Sequence, residues 1–197
     1  LRSLHGYYAC VSYADAQIGR ILNTLKKENL EDSTIVCLVG DNGYHNGNNG
    51  VWAKGVNWES TNHVPLIFRI PGLNKKNDKC TAIVEALDIY PSLCHAAGIP
   101  TPLHCEGKSL IPLIQNHNTP WSDIALHQHF SNKRIMGKSI RTDRYRYTIY
   151  SKNNQKLGVE LYDYLKDPMG NHNYADNPEY KSIHSELLSR HKKHWEN

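Results

Sequence analysis

Long apolar runs are missing from these 197 residues, and none approaches the length of a membrane-spanning helix. The opening Leu1-Arg2-Ser3-Leu4-His5 has neither an initiator methionine nor a signal-peptide core, so the expectation is a processed chain or a portion of a longer one. Cysteine is sparse: the five, Cys10, Cys37, Cys80, Cys94 and Cys105, are odd in number and form no C-x-x-C pair. At least one thiol is therefore free or paired outside the chain. Cys10 and Cys37 lie in apolar patterns and read as inert core residues, whereas Cys94 and Cys105 flank a proline-rich loop that a bridge could close. No N-x-S/T acceptor occurs, so glycosylation signals lend no support to secretory residence. The excess of positive charge is small, 23 basic against 19 acidic side chains, and scattered. With no aromatic-basic motif of an RNA-binding sheet, nucleic acid is not indicated, although an anionic substrate is compatible. Twelve histidines are present, yet none stands at zinc-ligand spacing; His191 and His194 come nearest, on a lysine-rich terminal helix that reads as solvated surface.

What is present begins with Thr34 to Lys54, TIVCLVGDNGYHNGNNGVWAK. Ile35 to Val39 is apolar without alternation, the pattern of a strand buried on both faces of a parallel sheet. Ligands of open α/β sheets bind at the carboxyl ends of such strands, where Asp41 and Asn42 stand. Gly43 lets the chain turn at once, so that a carboxylate and an amide oxygen can face one hard cation, calcium or magnesium rather than zinc. Taken alone, Asp-Asn-Gly is first of all a turn sequence.

Apolar spacing predicts a helix from Tyr7 to about Glu28, a strand over Val64 to Ile70 stopped by Pro71-Gly72, and a helix from Glu85 to Ala97 stopped by Gly98 and Pro100. These belong to an α/β layered sheet. Past the loop at 116–121 the pattern changes to short β-rich runs, 124–130, 134–141, 145–150 and 159–164, followed by a helix over 178–195. They predict a small antiparallel sheet with one covering helix, and a division into a catalytic α/β part over 1–118 and a carboxyl-terminal α+β subdomain over 119–197.

Several separate words in one order carry a resemblance: YYACVSYADAQIGRIL, GDNG followed by GVWAK, TNHVPLIFRIPG, EALDIYPSLCHAAGIP, EGKSL, RIMGKSIRTDRYRYT and ELYDYLKDPMGNHN. Across nearly its whole length the chain resembles the sulfatase family, in particular its iduronate-2-sulfatase branch. The resemblance implies an alkaline-phosphatase-like α/β fold, hydrolysis of a sulfate ester on a carbohydrate such as a glycosaminoglycan, a calcium ion, and a formylglycine nucleophile made from cysteine in C-x-P/S-x-R by a formylglycine-generating enzyme. None of the five cysteines has that context. The chain thus resembles the carboxyl-terminal portion of a sulfatase, inactive by itself, with the nucleophile and the first metal-binding aspartates expected upstream. Carried over position by position, Asp41 and Asn42 match metal ligands and Lys54 a lysine that approaches the sulfate. Tyr44 matches an aromatic that packs on the sugar, and His63 a histidine that contacts substrate or caps its strand. Arg141 matches an arginine that holds an acidic sugar or braces the two subdomains. The resemblance further implies a lysosomal or extracellular location. Two alternatives stand beside it: a non-catalytic sulfatase-like glycan-binding protein, and a phosphodiester or phosphonate hydrolase of the same superfold.

Overall fold

The computed structural model describes residues 2–73, 78–131 and 133–196. Helix α1 (Arg2–Lys27) leads through a 3-10 turn to strand β1 (Val36–Val39). A hairpin with strands of two residues each follows, β2 (His45–Asn46) with β3 (Trp52–Ala53), then the single-turn helix α2 (Glu59–Asn62) and strand β4 (Leu66–Arg69). The helix foreseen at Glu85 to Ala97 opens as a 3-10 turn, Ala86–Asp88, and continues as α3 (Ile89–Ala96); a further short helix, α4 (Ile111–Gln115), packs near it. A meander of four antiparallel strands comes next, β5 (Ala125–Phe130), β6 (Met136–Arg141), β7 (Tyr145–Lys152) and β8 (Gln155–Asp163), followed by α5 (Lys181–Trp195). The architecture is mixed α/β, with small antiparallel sheets and helices. No helix among the described residues is long and apolar enough to cross a membrane.

The expectation of a parallel, doubly buried first strand is corrected. Strand β1 pairs with β4 antiparallel, Val36 opposite Arg69 and Val39 opposite Leu66. After β1 the chain turns through the hairpin and α2 and comes back along the strand it has just left, so the return runs in the opposite sense. Nor do the described residues cover both faces: Val39 is 43% exposed and Ile67 57%. The apolar face of α1 is likewise open, with Val11, Ile21 and Tyr13 exposed and no residue of the helix buried. For that reason Cys10, read as a core thiol, is exposed. All five cysteines are free, Cys94 buried and Cys105 half-buried, so the bridge considered for that pair is not formed.

The well-packed core lies in the meander. Strand alternation places Leu126, Ile140, Tyr147 and Leu161 in register on one face, where Tyr180 and Leu187 of the terminal helical segment close over them. Helix α5 starts where it does because Asn177 accepts the amide hydrogen of Glu179 and Pro178 occupies the first turn, while Lys192, Lys193 and His194 complement the negative end of its dipole. His191, read from sequence as solvated, is only 3% exposed. It faces the sheet, edge-on to Tyr147, and its Nε2 donates to the Lys138 carbonyl at 2.9 Å. Fully buried Asp163 ties the sheet to the helix: its carboxylate accepts a bidentate pair from Arg144, at 2.8 and 2.7 Å, and the Tyr180 hydroxyl at 2.9 Å. The Arg144 hydrogen bonds hold that carboxyl down at about 2.

Because Leu187 is only 1% exposed between α5 and the sheet, Leu187→Ala is expected to destabilise the fold by roughly 2–5 kcal/mol. Urea unfolding of the full-length protein measures it, and a midpoint equal to that of the unsubstituted protein would show that α5 is not cemented to the sheet.

Candidate active site at the 41–63 segment

The second face of the meander is polar, and it is the face turned toward residues 55–63. In register across β5, β6, β7 and β8 stand His127, Ser139, Thr148 and Glu160, and beside them Arg141, Arg146 and Tyr162. Arg141 and Arg146 are directly opposed on neighbouring strands, an arrangement of like charges that needs a counterion. Glu59 is that counterion. It accepts from Arg141 Nε and Nη2 at 2.9 and 3.0 Å and from Arg146 Nη2 at 2.7 Å. Burial alone would raise the Glu59 carboxyl, but the hydrogen bonds and charges of the two guanidinium groups outweigh it and hold the group at about 2. The Arg141 guanidinium also lies 4.8 Å from the centre of the Tyr164 ring. Trp58 donates its indole hydrogen to Glu160 at 3.0 Å, and Asn57, fully buried, meets His127 through Oδ1 and Nδ1. Burial, and after it the Arg146 charge, lowers His127 to about 4, so it is neutral near pH 7. Gly137 is required on β6 because a Cβ there would strike Asn57 and Tyr150.

This polar seam fixes α2, and α2 fixes the turn after β1. Gly43 donates its amide hydrogen to Thr61 O at 2.9 Å and lies so close to the Ser60 carbonyl that no Cβ fits. Its glycine is thus demanded by a close approach of two backbones rather than by a left-handed conformation. Just beyond, His45 is 1% exposed, its Nε2 3.0 Å from Ser60 Oγ and its ring edge-on to Trp58. Burial lowers its pKa.

Against this frame sit the residues singled out from the sequence. Asp41 is exposed, and its Oδ1 accepts the Asn42 amide hydrogen at 2.8 Å. Lys54 arrives from the far arm of the hairpin and donates from Nζ to Asn42 Oδ1 at 2.8 Å. The residue before it, Ala53, is held at φ 69°, a left-handed conformation that costs a non-glycine residue about 1–2 kcal/mol. Asn42 and Lys54 are thereby in contact, and Asp41, next to Asn42 in the chain, is bound to its amide. His63 lies at the end of α2, its side chain 78% exposed and its Nδ1 3.5 Å from Glu59 Oε1. Tyr44 is exposed and stacks on Tyr7 of α1 at 5.8 Å between centroids. Arg141 is engaged by Glu59, within the polar seam. Residues 55–57, which follow Lys54 in the chain, line an open cleft of about 320 Å³ together with His129, Ile135 and Tyr150.

The donor set suits a hard cation in type, one carboxylate and one amide oxygen, but not in number. Calcium takes six to eight oxygens, and no group of three or more His, Cys, Asp or Glu among the described residues could hold a metal. The same Asn42 oxygen is occupied by an ammonium.

Residues 47–197 match the family described as N-sulphoglucosamine sulphohydrolase, C-terminal. The chain belongs to the sulfatase family. A sulfatase of Formosa agariphila is 35% identical over 91% of this chain, and human iduronate 2-sulfatase 28% identical over 85%. A solved structure in complex with its substrate, D-glucosamine-2-N,6-O-disulfate, superimposes with a TM-score of 0.85 at 27% identity over 93% of this chain. The chain spans 34%, 43% and 38% of those three proteins in turn. Lys54, His63 and Arg141 fall inside the matched sulfatase region, whereas Asp41, Asn42 and Tyr44 precede it.

Glu59, Arg146, Asn57 and His127 were not singled out in the sequence, although the alternation of Arg141 and Arg146 across the tight turn at Asp143-Arg144 carries the signal of two cations on one face. Glu59→Gln leaves Arg146, 3% exposed, without its charge partner and is expected to cost roughly 3 kcal/mol near neutrality. The carboxyl is depressed from 4.5 to about 2, so its contribution is complete above pH 4.5 and fades as pH falls toward 2. Unfolding measured across that window in both proteins should show the variant losing less stability on acidification, and parallel curves would remove Glu59 from the account.

Proposed function

We propose that the full-length protein hydrolyses sulfate esters of a sulfated carbohydrate, glycosaminoglycan in class, and that residues 41–63 form part of its active site. One observation carries the reading: the Lys54 ammonium, from across a hairpin, sits 2.8 Å from Oδ1 of Asn42, the residue that follows Asp41 in the chain. The family membership and the disulfated glucosamine held by the solved relative support the substrate class. In the same proposal the β1–β4 pair is part of an alkaline-phosphatase-like layered sheet, residues 1–118 belong to the catalytic domain and 119–197 form the small subdomain.

Breaking a sulfate ester shifts negative charge toward the bridging oxygen, and a fixed cation there lowers the barrier. Lys54 is assigned that role, exchanging its Asn42 contact for a sulfate oxygen. Asp41 and Asn42 are assigned to calcium. Formylglycine and calcium, as the family implies, supply the nucleophile and the Lewis acid when in place. His63, the exposed imidazole of the segment, is assigned to the substrate, and Tyr44 offers a ring face on which a sugar can pack. The 320 Å³ cleft lined by residues 55–57 is of a size with small-ligand sites and receives the sugar ring. Arg141 braces the seam, its guanidinium held by Glu59. A formylglycine-generating enzyme as partner and a lysosomal or extracellular location belong to the same proposal and rest on the family alone.

In the full-length protein, Asp41→Ala is expected to abolish both calcium retention and sulfate release. Lys54→Ala should lower turnover by about 10²-fold or more with calcium still bound. Metal content by atomic emission and sulfate release from sulfated disaccharides read the two effects separately, and an Asp41→Ala protein that keeps its metal and activity would overturn the assignment.

A further inference from the structure

The face of the meander that carries α5 ends in a groove of about 500 Å³ that the candidate active site does not use. Lys138 of β6, Lys156 of β8 and Lys192 of α5 line it together with His191 and Trp195; Glu196 is the one carboxylate among its described lining residues. Strand alternation puts Lys138 on the face opposite Arg141 and Glu59, so the sheet separates this groove from residues 41–63. Three ammonium groups against one carboxylate make it electropositive. The Lys138 Nζ lies 5.2 Å from the centre of the Trp195 ring and 3.5 Å from the Trp195 carbonyl, which fixes the indole as part of the wall.

Two ring nitrogens of the lining residues, His191 Nδ1 and Trp195 Nε1, are shielded from solvent and have no hydrogen-bond partner, so a ligand that pairs with them must part the wall. Unpartnered buried polar atoms are costly and call for an explanation. The two nitrogens ask for opposite things. His191 Nε2 bonds the Lys138 carbonyl, which can only accept, so that nitrogen carries the proton. Burial lowers the ring's pKa and keeps it neutral, which leaves Nδ1 as an acceptor in want of a hydroxyl. Trp195 Nε1 can only donate and wants an oxygen acceptor. Sulfate ion supplies acceptors alone, whereas a sugar carrying sulfate groups supplies hydroxyl donors, acceptor oxygens and negative charge for the lysines.

We propose that this groove is a second carbohydrate site, which holds a sulfated stretch of a glycan chain remote from the reacting end. It takes its ligand class from the proposed function but requires no catalysis. Lys156 and Lys192 are both exposed, so Lys156→Glu with Lys192→Glu can be made without opening the core. The test compares full-length protein and double variant for binding of a heparin-derived octasaccharide over a salt series, with turnover of a small sulfated monosaccharide as the second readout. Expected are a loss of affinity of at least about fivefold, a flatter salt dependence, and unchanged turnover and unfolding midpoint. A change below about twofold, equal binding of the desulfated octasaccharide, or equally tight binding of a DNA oligomer would each overturn the proposal, the last two by reducing the groove to an unselective surface. Octasaccharide binding that persists in Asp41→Ala and falls in the double variant supports this site even where the catalytic reading fails.

Discussion

One carboxylate between two guanidinium groups holds the candidate site to the small sheet. Arg141 and Arg146 are neighbours across the β6–β7 ladder, and without a shared anion their proximity would be repulsive. Glu59 supplies the anion from a single-turn helix whose four residues make barely one turn of hydrogen bonds and whose Thr61 and Asn62 side chains donate back to the Trp58 carbonyl. Through α2 the constraint reaches Ser60 and Thr61, then Gly43 packed on their backbone, and finally Asp41 and Asn42 at the end of β1. The polar face of the meander therefore acts as the mount on which residues of another part of the fold are aligned.

The two faces of that sheet divide the work by chemistry. Tyr147, Ile140 and Leu161 bury apolar surface under α5 and make the region stable. Across the sheet, Ser139, Thr148, Asn57, His127 and Glu160 form a buried polar layer that is directional where the apolar core is not. An apolar seam would tolerate sliding, whereas hydrogen bonds and a bidentate ion pair specify one relative placement. Reach to the lysine comes from a tight hairpin and a left-handed Ala53. By contrast α1 and the β1–β4 pair keep their apolar side chains uncovered among the described residues.

The sequence by itself determined the elements and the family. Amphipathic spacing in α1, the β-rich runs of the meander and the Asn177-Pro178 start of the last helical segment are local patterns, each readable within a dozen residues. The ordered motifs carried sulfatase membership for the same reason. Asp41, Asn42 and Lys54 were also legible as chemistry, because a turn at a strand end and a lone lysine after a glycine-rich loop are local features. Tertiary structure alone decided that β1 and β4 run antiparallel with open faces, that His191 is buried, that Cys94 and Cys105 stay apart, and that Arg141 faces Glu59. Each of these depends on which distant residues come to lie alongside. Pairing partners, burial and the counterion of a charge are set by contacts between segments far apart in the chain, 87 residues in the case of Arg146 and Glu59, and no local spacing encodes them.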